Sequence, residues 1–232
     1  MKAATCITVL GGILLSFLFG ASATSGIEAP QAPAFASVQE HQNWVMNTYL
    51  PWMEQSMYTF HNVPRADGQL LKTLVEKTKR HHGLEMGASN GYSAIWIGLG
   101  MENTQGGLVT IEIEPDVADL CRENIKRAGL EKNVTCVTGD ALKVAPGLKG
   151  PFDFLFIDIG TMDMVPFIKA AEPKLTPDAI IVLHNLAFAS SYQTALDYAA
   201  SKGWHIQKVK PDKGMGLFLI SPSGGFTLGP EF

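Results

Sequence analysis

The residues equipped for chemistry recur at intervals along the chain. Gly83-Leu84-Glu85-Met86-Gly87-Ala88-Ser89-Asn90-Gly91-Tyr92-Ser93 starts as a short apolar strand, breaks at Gly87 and, after Gly91, becomes an apolar helix-like run to Leu99. A strand, a glycine-punctuated turn and a helix start make a nucleotide-binding crevice. Gly87 and Gly91 allow positive φ and close approach of a ligand, and the N–H groups of the helix start would face an anionic or polar group. An ordinary βα turn is the bland alternative. Glu112 ends the next apolar run, where a carboxylate can accept ribose hydroxyl hydrogens. Asp140 ends the third, placed to accept an adenine amino hydrogen or to cap the helix that Ala141 opens. Asp158, His184 and Asn185 end the fourth and fifth runs. Such a set can ligate a divalent ion; His184 can instead act as a general base near neutral pH; a metal-free hydrogen-bonded cluster is the third reading.

The glycine spacing speaks against a dinucleotide. The G-x-G-x-x-G fingerprint needs its second glycine at position 89, which is Ser89. An NAD-dependent oxidoreductase is disfavoured accordingly.

The elements that must carry these residues alternate. Leu70, Leu71, Leu74 and Val75 predict a helix over about 66–79 before the organising strand. Strands are expected over 108–113, 134–137, 152–157 and 179–183. The run Phe152–Ile157, apolar apart from Asp153, suits a central strand buried on both faces. Pro115 opens an amphipathic helix that stops at Gly129; further helices are expected over 166–171 and 192–202. His205–Val209 and Gly216–Ile220 read as a closing strand pair. The alternation predicts a doubly wound α/β sheet, whose ligands bind at the carboxyl ends of the strands, where each candidate residue falls. Residues 38–57, rich in aromatics and methionine, predict a helical region interrupted at Pro51; it packs on the main domain or roofs an acceptor pocket.

The 232 residues carry a net charge of −4, which gives no basic footprint for nucleic acid. Lys79-Arg80-His81-His82 suits a helix C-terminus. Cys6, Cys121 and Cys136 show no metal-type spacing, and the last two read as small core hydrophobes. Residues 1–23 resemble an export signal: Lys2, an apolar core from Ile7 to Phe19, and Ala21-Ser22-Ala23 as cleavage site. That predicts an exported protein with no stable membrane span in its mature form; an uncleaved anchor with a cytoplasmic domain is the alternative. Residues 24–37 read as a linker, 38–222 as the main domain and 223–232 as a flexible tail.

Taken together, Asn62-Val63, Gly68-Gln69, the Glu85–Ser93 turn, Thr110–Pro115, Gly139–Leu142, Phe152–Asp158 and Asn185 resemble the catechol and caffeoyl-CoA type of S-adenosylmethionine (SAM)-dependent O-methyltransferase. Glu-x-Gly-x-x-x-Gly is the class I methyltransferase pattern. The resemblance covers about Asn62 to Ile220 and implies a seven-stranded Rossmann-like sheet with N-terminal helices, a small phenolic or catechol-like acceptor, and often a homodimer. It implies SAM contacts at Val63, Gly87, Ser89, Ser93, Glu112, Asp140, Ala141 and Asp158, with Glu85, Gly91 and Tyr92 completing the turn. It also implies a divalent ion held at the positions of Asp158, His184 and Asn185, which would lower the acceptor hydroxyl's pKa and orient its oxygen. The acceptor half departs from the family pattern. An Asp-Asn pair is here His184-Asn185, a lysine after the fourth strand is Thr161, and a nearby aromatic is Met164. The reading divides there between an altered metal, a metal-independent reaction with His184 as base beside Asp158, and a SAM-binding protein that has lost transfer.

Overall fold

The computed structural model describes residues 28–160, 163–184 and 189–224. The export-type segment, Thr161, Asn185 and the tail beyond 224 lie outside the described residues. No helix among the described residues is long and apolar enough to cross a membrane.

The seven strands β1 (His82–Met86), β2 (Gly107–Glu112), β3 (Val134–Thr138), β4 (Phe152–Ile157), β5 (Leu175–Leu183), β6 (His205–Val209) and β7 (Leu217–Ser221) form one sheet in the order β3-β2-β1-β4-β5-β7-β6. β1 to β5 pair in parallel, and β7 runs antiparallel to both β5 and β6. This is the expected fold, including the closing hairpin.

Side-chain alternation along the strands decides which face each residue serves. Phe154, Phe156, Ile180 and Val182 bury against one face, and Leu155, Ile157, Ile181 and Leu183 against the other. The first face carries α3 (Arg65–Lys77), α4 (Tyr92–Thr104) and α5 (Pro115–Arg127). The second carries α7 (Val165–Ala171) and α8 (Ala189–Ser201), with the short α6 (Ala141–Val144) beside them. Continuing the alternation by one residue puts Asp158 and His184 on the α3 side.

The N-terminal region departs from expectation. Helix α1 (Val38–Trp44) continues through a π-helical turn, Val45–Tyr49, into α2 (Leu50–Ser56). Pro51 does not break it but lies in the first turn of α2, where its missing N–H costs little. The carbonyl of Met46 receives the Arg65 guanidinium, so the irregular turn leaves no loss there. Other bounds shift by a residue or two, and two shift further: β5 starts four residues earlier than expected at Leu175, and α8 starts three earlier at Ala189.

Candidate functional site

The sheet order reverses between β1 and β4, and ligands of such sheets bind at that switch point. The register sets Met86 beside both Ile111 and Ile157, so Gly87, Glu112 and Asp158 emerge together. Gly87 has φ 96°, and a Cβ there would stand 2.1 Å from the carbonyl oxygen of Asp158. No other residue type fits. Ser89 also takes a left-handed backbone, φ 48°, a costly conformation of the sort found at binding turns.

Five amides of the turn are already engaged within the protein. The N–H groups of Gly87 and Ala88 both donate to the Ile111 carbonyl at 3.0 Å, and that of Gly91 to Ala88 at 2.9 Å. The Tyr92 amide donates to Asn90 Oδ1 at 3.2 Å, and the Ser89 amide to Glu112 Oε2 at 2.7 Å. These bonds hold the turn in a fixed contour.

A cavity of about 190 Å³ opens here, bordered by Val63, Gly87, Ser89, Tyr92, Ser93 and Asp158 from the expected set, and by Phe60 and Asn62. Asn62 belongs to a motif the sequence singles out, but only its neighbour Val63 was expected to touch the ligand. Both polar atoms of its side-chain amide are buried, and among the described residues they find no partner. A buried unpaired amide is costly, and a polar ligand in the cavity would satisfy it. The flanking Asn62-Val63 motif was the available signal.

Four expected contacts stand around the cavity rather than on it. Glu112 holds the amides of Ser89 (2.7 Å) and Glu114 (3.1 Å), yet a carboxylate has about four acceptor sites, so ribose hydroxyls are not excluded. Asp140 caps α6 through Leu142 N–H at 3.0 Å, and Ala141 opens that helix. Gly91 faces α5, where a Cβ would lie 3.0 Å from Cys121 Sγ.

Glu85 does not border the cavity. Alternation turns it away from the side taken by Leu84 and Met86 and beneath α4. It is fully buried, and neither carboxyl oxygen has a hydrogen-bond partner of good geometry. Burial pushes its pKa up to about 8; the Ser93 and Thr110 hydroxyls alongside offset part of this, and the Asp158 and Glu112 charges add to it.

His184 stands between two carboxylates. Its Nδ1 lies 3.1 Å from Asp158 Oδ2 and its Nε2 3.2 Å from Asp67 Oδ2. Asp67, in the first turn of α3, also accepts N–H bonds from Met215 at 2.8 Å and Gly216 at 3.2 Å. Burial would lower the imidazole pKa, but the bonds to Asp158 and Asp67 and their charges outweigh it and raise it to about 9. A carboxylate only accepts, so both ring nitrogens carry protons. An imidazole in this state has neither a lone pair for a metal nor capacity as a base. With both nitrogens turned to carboxylates, His184 as placed does not fit the ligand role expected of it, and the same two contacts stand against its acting as a base; Asn185, the third member of the expected set, lies outside the described residues.

The sheet, its order and the crevice define a class I methyltransferase fold. Residues 84–186 match the family described as a methyltransferase domain. Two curated relatives are named catechol O-methyltransferase. The one from Mycobacterium tuberculosis is 36% identical over 125 residues, 53% of this chain and 56% of its own length. The one from Niastella koreensis is 33% identical over 129 residues, 54% of this chain and 58% of its own length. The match thus spans under two thirds of either relative. Among solved structures, cofactor-bound Rv0187 from MTB is similar at 27% identity and TM-score 0.65, over 83% of this chain and 99% of that one.

Proposed function

We propose that this protein transfers a methyl group from SAM to the hydroxyl oxygen of a small phenol- or catechol-type acceptor. The observation that carries the reading is the Gly87 turn pressed against the Asp158 backbone at the switch point. It sets a cavity lined by both an unpaired Asn62 amide and Asp158. The names of the relatives support the acceptor class.

SAM, when bound, supplies an electrophilic methyl group on a sulfonium. The chain's own residues do the rest. Glu112 would accept ribose hydroxyls with the lone pairs that the Ser89 and Glu114 amides leave. Asp140 would accept from the adenine amine beside its capping bond. Asn62 and Val63 would contribute to the wall of the donor's cavity. Asp158, with its side chain 17% exposed, faces the space left for the acceptor and would receive its hydroxyl hydrogen.

Calorimetric titration of the full chain with SAM tests this. Micromolar binding is expected, and Glu112→Ala should weaken it at least tenfold, or about 1.4 kcal/mol. Unchanged affinity in that variant would remove Glu112 from the site. Binding without methylation of any phenolic acceptor would reduce the protein to a SAM-binding one.

A further inference from the structure

We propose that Asp67, His184 and Asp158 form a closed carboxylate–imidazole–carboxylate clamp that handles the acceptor without a divalent ion, so that a single hydroxyl suffices where chelation would require two. The proposal rests on the methyl-transfer reading above. Its own ground is the disagreement between these residues and a metal site.

Both nitrogens of His184 are committed, at 3.1 Å to Asp158 and 3.2 Å to Asp67. For the ring to ligate an ion it would have to leave one carboxylate. Asp67 cannot follow it. Its carboxylate is pinned by the Met215 and Gly216 amides, and the turn that delivers them is built for the purpose. Gly216 has φ 94°, and a Cβ on Gly214 would stand 2.2 Å from Asp67 Oδ1. Asp67 is 0% exposed and His184 2%, so no water would replace the lost partner; breaking a buried pair by removing one member is severe. Among the described residues, no three His, Cys, Asp or Glu side chains converge as metal ligands do.

Asp158 is the member of the clamp that borders the cavity. The acceptor hydroxyl donates to its carboxylate, which fixes the oxygen's direction. As that oxygen bonds the donor's methyl carbon, the carbon–sulfur bond breaks and its electron pair stays on sulfur. An oxygen carrying both methyl and hydrogen is strongly acidic, so a carboxylate suffices to take the proton, which then passes to water. Asp158 touches the acceptor. His184 and Asp67 are positioning residues that hold its carboxylate and cancel one of the two negative charges. Nothing in this arrangement needs a second acceptor oxygen.

The tests use the full chain. Titrating Mg²⁺, Mn²⁺ and Zn²⁺ calorimetrically, with and without SAM, should give no stoichiometric binding. Turnover should survive EDTA within twofold, and phenol and catechol should differ by less than about fivefold in kcat/KM. With ¹⁵N-labelled histidine, His184 should show two ring N–H signals at neutral pH. Asp67→Asn should leave SAM affinity within twofold, raise the acceptor KM at least tenfold and remove one of those signals. A stabilising-only role for Asp67 would lower Tm and leave KM alone. Stoichiometric metal binding, loss of turnover in EDTA, or an unprotonated ring nitrogen would overturn the clamp. If Asp67→Asn does not fold, the metal titration and the histidine spectrum of the unaltered protein still decide. Failure of SAM to bind would instead remove the methyl-transfer reading, and the spectrum and metal titration would stand apart from it.

Discussion

Glu85 and His184 hold their protons to higher pH in the folded chain than in the unfolded one, and both effects bear on stability with the same sign. Glu85 moves from 4.5 to about 8. Between those values the unfolded chain has released a proton that the folded chain keeps, so stability falls as pH rises. His184 moves from 6.5 to about 9, and its contribution, complete below pH 6.5, is lost as pH climbs through 9. Glu85→Gln keeps the shape and removes the ionisation. The expected outcome is a variant that loses less stability than the parent from pH 5 to 8, while both still decline from 7 to 9. Melting curves across that range check it; parallel declines from pH 5 upward would contradict the burial argument. At this scale the sequence was legible where chemistry coincides with a strand end, as at Asp158 and His184. Asp67 was not, because its partner lies 117 positions away and nothing local marks a helix-start aspartate as buried. The sequence also says nothing of who faces an imidazole, and that alone turned His184 from base or ligand into a charged strut.

Among the elements, the glycine turn and the N-terminal helices are tied together. The Tyr92 hydroxyl donates to Glu54 at 2.6 Å, and Arg65 donates to the same carboxylate at 2.8 Å. The first residue of α4 is thereby fastened to α2 and to the start of α3. Tyr92→Phe should cost about 1 kcal/mol, the worth of one such hydrogen bond, read as a lower denaturant midpoint with unchanged slope. Gly87→Ala should be harsher. The added carbon meets a backbone oxygen at 2.1 Å in a left-handed conformation, so a loss on the order of 1–3 kcal/mol should accompany at least tenfold weaker SAM binding. Helices and strands were legible because their buried faces are uniformly apolar, as in Phe154–Ile157. The π-helical turn was not. A proline signals an interruption, and only the position of Arg65 against Met46 shows how the helix survives it.

For the whole molecule, one sheet is shared by two cores, so donor binding at its edge should be felt throughout. SAM at a hundred times its Kd would add about 2.7 kcal/mol, which in a domain of this size raises Tm by roughly 5–10 °C. A scan with and without SAM measures it; no shift at saturation would mean that the donor binds the unfolded chain as well. The doubly wound sheet was legible in the alternation of elements and the closing strand pair in two short apolar runs, whereas the strand order and the antiparallel sense of that pair depend on contacts far apart in the chain.

That closure has a consequence in time. The amides that seat Asp67 belong to Met215 and Gly216, whereas the glycine turn, Glu112 and Asp158 precede them by scores of residues. During synthesis the donor's half of the crevice is therefore in the chain long before the acceptor's half can lock. A nascent chain released before residue 216 has emerged carries a histidine with one carboxylate unanchored. The site is completed only when the hairpin of β6 and β7 has left the ribosome, and only then is the acceptor side set.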